Sequence, residues 1–252
     1  AFTDYAVENN LIMGRAGAVA LAAGAQRNTF IGQDAGATTA DSTATTDSNT
    51  AVGYASLRSL TSGDQNTALG RNTLTNNLSG SYNVAVGNQA LQQNTIGNGN
   101  TAVGSVALYS NVAKRESTAI GYGAMFYADD TAVSAVTYNT AVGAYALEGS
   151  TTPANNTGTG NTALGHSALT DNTSGGGNTA LGTSALSSNT SGNNNVAIGY
   201  ESLLANGIGS WNIGIGGSAL ANNDNGTTNI GIGVNSGLFI ESGTENVAIG
   251  TE

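Results

Sequence analysis

An aliphatic side chain followed by glycine recurs along the whole chain: Met13, Ile31, Val52, Leu69, Val86, Val103, Ile120, Val142, Leu164, Leu181, Ile198, Ile215, Ile232 and Ile249. Each stands three residues after an asparagine, or after Ser117 in one copy, so the shared phrase is N-[TVI]-[AG]-[VLI]-G with small variations. Nine of the thirteen intervals between copies are 17 residues, and the others are 18, 21, 22 and 22. A fixed short period means stacked supersecondary units that bury their apolar sides against one another.

Counting from the asparagine, position 9 is Leu57, Leu74, Leu91, Leu108, Met125, Leu147, Leu169, Leu186, Leu203 and Leu220 in ten consecutive copies. Glycine holds position 5 throughout and position 15 in most regular copies. A helix pair does not fit a unit this short with two fixed glycines, because an interior glycine costs about 1 kcal/mol against alanine. Val, Ile and Thr favour strands. The pattern therefore predicts an all-β fold: a parallel β-solenoid, or β-roll, of about fourteen ~17-residue coils. With coils about 4.8 Å apart, the predicted rod is on the order of 65 Å long.

Strand alternation with position 4 inward puts position 2 inward as well, and turns Asn, Ala and Gly outward. The expected core is then Val52, Leu57, Leu69, Leu74, Val86, Leu91, Val103, Leu108, Leu164, Leu169, Leu181, Leu186, Ile198 and Leu203. A second short strand is expected over the x-x-A-L stretch. Two or three apolar side chains per coil make a thin core, and the expected Asn-Ala-Gly stripe is flat and uncharged. Both features point to a homotrimer, intertwined or side by side, whose subunits cover that stripe.

Composition narrows the function. The formal charge is −10, with only six Lys and Arg. Such a chain has no basic patch for nucleic acid and no polybasic membrane anchor, and no apolar run is long enough for a spanning helix. The absence of cysteine excludes disulfide scaffolds and Cys-ligated metals. His166, the single histidine, has no nucleophile and carboxylate at useful offsets, so it is read as exposed surface and the chain as not an enzyme. No cofactor or metal is expected, since the calcium-type G-G-x-G-x-D repeat and the phosphate-binding glycine motifs are missing. Asp129 and Asp130 form a minor candidate for a cation. The threonine column, Thr50 to Thr179, raises an ice-binding solenoid as an alternative, weakened by its expected inward parity.

Residues 1–9 form an N-terminal segment before the continuous array of 10–252, which carries inserted loops at about 37–48, 126–138 and 148–160. The last two lie in neighbouring coils and are expected to make one protrusion. The candidate receptor-binding residues there are Tyr122, Phe126, Tyr127, Asp129, Asp130, Tyr138 and Tyr145, because tyrosines offer rigid amphipathic area. Tyr82 and Trp211 are expected to pack the shaft. The part-coils at the two ends, nine residues before the first copy and seven in the last, suggest a self-assembling filament joined end to end.

Asn195-Val196-Ala197-Ile198-Gly199 and Asn246-Val247-Ala248-Ile249-Gly250 resemble the head repeats of trimeric autotransporter adhesins. Asn178-Thr179-Ala180-Leu181-Gly182, continued through Ala185-Leu186 and Asn189-Thr190-Ser191-Gly192, resembles the NTALG-type repeats of bacteriophage tail fibres. The resemblance runs from about Asn10 to the end. It implies a trimeric left-handed β-roll, used as a fibre shaft or adhesin head on a virion or bacterial exterior. Such a segment would present a surface to a cell-surface glycan or protein receptor.

Overall fold

The computed structural model describes residues 9–14, 24–37 and 46–252. The expected N-terminal segment and most of the 37–48 loop lie outside the described residues. The chain divides into two compact units, Ala1–Ser117 with Asp130–Val136, and Thr118–Asp129 with Thr137–Glu252.

The first unit carries β1 (Leu11–Met13), β2 (Thr29–Ile31), β3 (Thr50–Val52), β4 (Thr67–Leu69), β5 (Val84–Val86) and β6 (Thr101–Val103). The second carries β7 (Thr118–Ile120), β8 (Thr140–Val142), β9 (Thr162–Leu164), β10 (Thr179–Leu181), β11 (Val196–Ile198), β12 (Ile213–Ile215), β13 (Ile230–Ile232) and β14 (Val247–Ile249). Within each unit every strand pairs in parallel with the next, in register, so that Thr179 lies beside Val196 and Leu181 beside Ile198. This is a parallel β-solenoid with one strand per coil. The short strand follows from the phrase itself, because three residues separate an asparagine corner from a glycine corner.

The strand parity is the reverse of the sequence expectation. Position 3 points inward: Ala51, Ala68, Ala85 and Ala102 in the first unit, and Ala119, Ala141, Ala163, Ala180 and Ala197 in the second, are wholly buried. The position-1 asparagines are buried with them. Positions 2 and 4 face outward. Of the expected core, Leu57, Leu74, Leu91, Leu108, Leu169, Leu186 and Leu203 lie inside, whereas Val52, Leu69, Val86, Val103, Leu164, Leu181 and Ile198 stand on the outer face, half-buried or exposed. The reason is space and hydrogen bonding. In the regular coils the interior beside the strand is filled by the position-9 leucine and Ala or Gly packs against it; in the β2 coil, where position 9 is Gly36, the buried position-3 residue is Phe30. At Gly214 an added Cβ would meet Ser202 Oγ at 2.6 Å and Leu203 at 3.1 Å.

The inward asparagine does two jobs. Asn178 Nδ2 donates to the Gly192 carbonyl of its own coil at 2.8 Å. Its Oδ1 accepts the backbone N–H of Asn195 in the next coil at 2.9 Å. The same pair of bonds recurs at Asn49, Asn66 and Asn83 in the first unit and at Asn195 and Asn212 in the second. A second inward ladder runs along position 12, through Asn77, Asn94 and Asn111 in one unit and Asn172, Asn189, Asn206 and Asn223 in the other. Pairing of this kind offsets the cost of burying amides; at Asn111 the Nδ2 is paired, with Asn94 Oδ1 at 2.9 Å, while the buried Oδ1 has no partner.

Among the described residues the expected second strand is absent. Residues 5–11 of each regular coil form a run of turns, because positions 7 and 9 are left-handed: Ser184 at φ 55° and Leu186 at φ 55°. Their backbone N–H groups point to opposite neighbours, Ser184 to the His166 carbonyl at 3.0 Å and Leu186 to the Ser202 carbonyl at 2.9 Å. The turns are thus paired between coils without being a ladder. Position 5 needs glycine for a different reason: at Gly182 φ is +138°, and a Cβ would overlap the Gly199 carbonyl.

Candidate functional surfaces

Two surfaces stand out. The first is the outer face of the strands. In the second unit its two columns read Thr118, Thr140, Thr162, Thr179, Val196, Ile213, Ile230, Val247 and Ile120, Val142, Leu164, Leu181, Ile198, Ile215, Ile232, Ile249. In the first unit β1 to β6 give Leu11, Thr29, Thr50, Thr67, Val84, Thr101 and Met13, Ile31, Val52, Leu69, Val86, Val103. Neither column holds a charged residue in either unit. Leu164 is 44% and Leu181 41% exposed. In-register pairing makes each column a straight stripe, and such an apolar stripe on a water-facing sheet marks an interaction surface.

The second surface lies in the second unit, on coils lengthened by insertion. Tyr122 and Tyr145 meet edge to face with ring centroids 5.3 Å apart and planes at 79°. Tyr145 meets His166 in the same way, at 6.1 Å and 84°. Gly123 makes this possible, since a Cβ there would lie 3.2 Å from the Tyr145 ring. Glu148 stands three residues after Tyr145, and Asp171 lies in the next coil beside Thr170, whose hydroxyl donates to the Tyr145 carbonyl at 3.3 Å. Partial loss of solvent holds the Glu148 carboxyl above its ordinary range, with the Asp171 charge adding to it. Asp171 is raised by loss of solvent alone. The Tyr145 hydroxyl is raised by desolvation first, then by Tyr122 and the Glu148 charge.

The remaining candidates are dispersed. Phe126 and Tyr127 pack on each other at 4.6 Å, edge to face. Tyr127 is tied to the 148–160 loop, whose Asn156 Nδ2 donates to the Tyr127 carbonyl. That loop contains one 3-10 turn, Pro153–Asn155. The 131–136 stretch is held in the first unit, where Lys114 Nζ donates to Thr131 Oγ1 at 2.8 Å and to the Val133 carbonyl at 2.7 Å. The 126–138 insertion is thereby shared between the two units. Asp130 is exposed, but Asp129 is buried, which removes it from a surface for receptor or cation. Tyr138 is exposed in another column, just ahead of Asn139.

Tyr82 and Trp211 do not pack the shaft. They are 61% and 63% exposed, at a left-handed corner that aims them away from the coil. His166, Glu148 and Asp171 were not among the residues selected from sequence for recognition. Their signal was weak: Tyr122 and His166 share position 6, but Tyr145 at position 7 reaches them only because a position-7 N–H donates to the position-6 carbonyl of the preceding coil, as Tyr145 does to Tyr122 at 2.9 Å. Among the described residues no three of His, Cys, Asp and Glu come together as metal ligands. None of the described helices is long and apolar enough to cross a membrane. No family model, curated protein or solved structure matches this chain.

Proposed function

We propose that this chain is a segment of a homotrimeric surface fibre or adhesin, in which three copies join through the outer strand face and present their other sides to a receptor. The observation that carries the reading is that face: two uncharged columns per unit, apolar at every position 4. A contiguous apolar stripe of this kind is costly to leave in water and cheap to bury against copies of itself, because its side chains are already in register. Three flat faces around one axis cover each stripe completely. The resemblance to trimeric adhesin heads and tail-fibre repeats points the same way, and to an extracellular or virion-surface setting. The proposal involves no reaction, cofactor or nucleic acid.

A second reading has gained an observation. The threonines of β2, β3, β4 and β6, and of β7 to β10, face outward in register rather than inward, so the parity objection to an ice-binding face falls. The trimer reading is favoured because β11 to β14 continue the stripe with Val and Ile and no threonine.

Light scattering with sedimentation equilibrium tests the proposal. A discrete particle of three times 24.9 kDa supports it. A monomer that inhibits ice recrystallisation supports the ice face, and long filaments in negative stain support end-to-end assembly as the function.

A further inference from the structure

The ring ladder of the second unit differs in kind from the other exposed aromatics. In the first unit the Tyr54 ring is occupied by a guanidinium of its own chain, with Arg71 Cζ 5.9 Å from the ring centroid. Tyr82 in the first unit, and Tyr138 and Trp211 in the second, each stand just ahead of a position-1 asparagine. Tyr122, Tyr145 and His166 instead form a strip, one ring per coil, running along the direction in which coils stack. Tyr122 and His166 at its ends are exposed, and Tyr145 between them is half-buried.

The geometry selects among ligands. A quaternary ammonium or lysine head needs several ring faces around one point, and a strip of edge-to-face rings at successive levels does not surround a point. It offers an extended sequence of apolar patches with ring centroids 5.3 and 6.1 Å apart, matched to a ligand with repeating C–H faces. Glu148 in the coil of Tyr145 and Asp171 in the next coil, brought together where the Gly149 N–H donates to the Thr170 carbonyl at 2.8 Å, are acceptors without donors, which suits hydroxyl groups. Their charge, on a chain of net −10, opposes any anionic ligand.

We propose that Tyr122, Tyr145 and His166 form a binding strip for a neutral oligosaccharide, with Glu148 and Asp171 accepting its hydroxyl hydrogens. Sugar rings lie along the strip, one per coil, and sialylated or sulfated glycans are excluded by the two carboxylates. The inference rests on the fibre reading for its biological sense, since it names the receptor class that such a fibre would meet. Its chemistry belongs to one unit of one chain.

The experiment is a glycan array probed with the full chain, repeated with Tyr122→Ala/Tyr145→Ala and with Glu148→Gln/Asp171→Asn. Particle mass and melting temperature are measured on each sample. The expected result is retention of neutral glycans by the wild type and none of sialylated or sulfated ones. The double Tyr variant should lose about tenfold in affinity, the worth of two ring contacts, at unchanged mass and melting. The carboxamide variant should lose neutral-glycan affinity as well. The site is overturned if no glycan is retained, if only anionic glycans are, or if the double Tyr variant binds as the wild type does. The mass separates the two proposals: a trimer without glycan binding removes this one alone, and a glycan-binding monomer removes the fibre reading alone.

Discussion

Asn195 donates its backbone N–H to the side-chain oxygen of Asn178, 2.9 Å away in the preceding coil. That one bond joins two coils, and the Asn178 amide closes its own coil on the Gly192 carbonyl. Asn178→Ala removes both and leaves a buried N–H without its acceptor. The expected loss is about 2–4 kcal/mol of stability, from the cost of unpaired buried groups. Asn178→Asp should be comparable, since a carboxylate cannot donate to Gly192. Chemical denaturation of each variant measures the loss. Because coils depend on their nearest neighbours, hydrogen exchange should rise most in coils 178–194 and 195–211, beginning with the Asn195 amide that loses its acceptor.

Glycine is required at one corner of the coil and optional at another. Gly182→Ala places a Cβ against the Gly199 carbonyl at a φ of +138°, so backbone of two coils must shift. An expected cost of at least about 2 kcal/mol follows from that overlap and strain. Gly217→Ala meets nothing within 4 Å and its φ is ordinary, so it should be neutral or slightly stabilising by reducing unfolded-state freedom. Thermal melts of the two variants side by side check the contrast. Equal destabilisation by both would contradict the stacked-glycine account.

The period, the parallel coils and the inward column of position-9 leucines were legible because the regular coils repeat one backbone path. Which face of the strand turns inward was not. Thr179 and Leu181 alternate with Asn178 and Ala180, and a period of two fits either choice equally well. Greater hydrophobicity favoured Leu181 inside, yet Ala180 is the buried one. What decides it is the amide of Asn178, whose two partners exist only within the coil stack. Nor did composition announce Leu186 at φ 55°, a backbone region that a leucine rarely enters. That left-handed leucine replaces the expected second strand by turns. The aromatic strip was half visible: Tyr122 and Tyr145 were candidates and His166 shares position 6 with Tyr122, but that Tyr145 at position 7 bridges the two depends on the diagonal pairing of the turns, which no side-chain pattern announces.

Parity has a consequence for assembly. Ile198 and Ile215 face outward beside each other on β11 and β12, whereas Leu203 is wholly buried in the same region. If the proposed trimer forms through this face, Ile198→Glu/Ile215→Lys should leave the coil folded and convert trimer to monomer, since it would place charges in a desolvated interface. Leu203→Ala should instead lower stability by about 2–5 kcal/mol through a core cavity. Sedimentation equilibrium with circular dichroism separates the two effects. An unfolded Ile198→Glu/Ile215→Lys variant would argue that the outer columns belong to a core, and an unchanged mass would argue that no copy covers them.

Glu148 and Asp171 set a pH dependence whose sign is fixed by their surroundings. Both carboxyls are held above their ordinary range in the folded chain, so the native state binds these protons more tightly than the unfolded state does. Stability therefore falls as pH rises from the unfolded pKa, near 4 for such groups, through the raised folded values, and the full cost is present at neutral pH. Both groups are partly solvated, so the cost at neutral pH is small, about 0.5 kcal/mol or less after solvent screening. Glu148→Gln/Asp171→Asn should remove it. Melting temperatures of variant and wild type should differ at pH 7, with the variant higher, and the gap should narrow as pH falls toward 4. A gap that widened on acidification would mean that the carboxylates are stabilised by partners in the folded chain, and would count against their being open acceptors beside Tyr145.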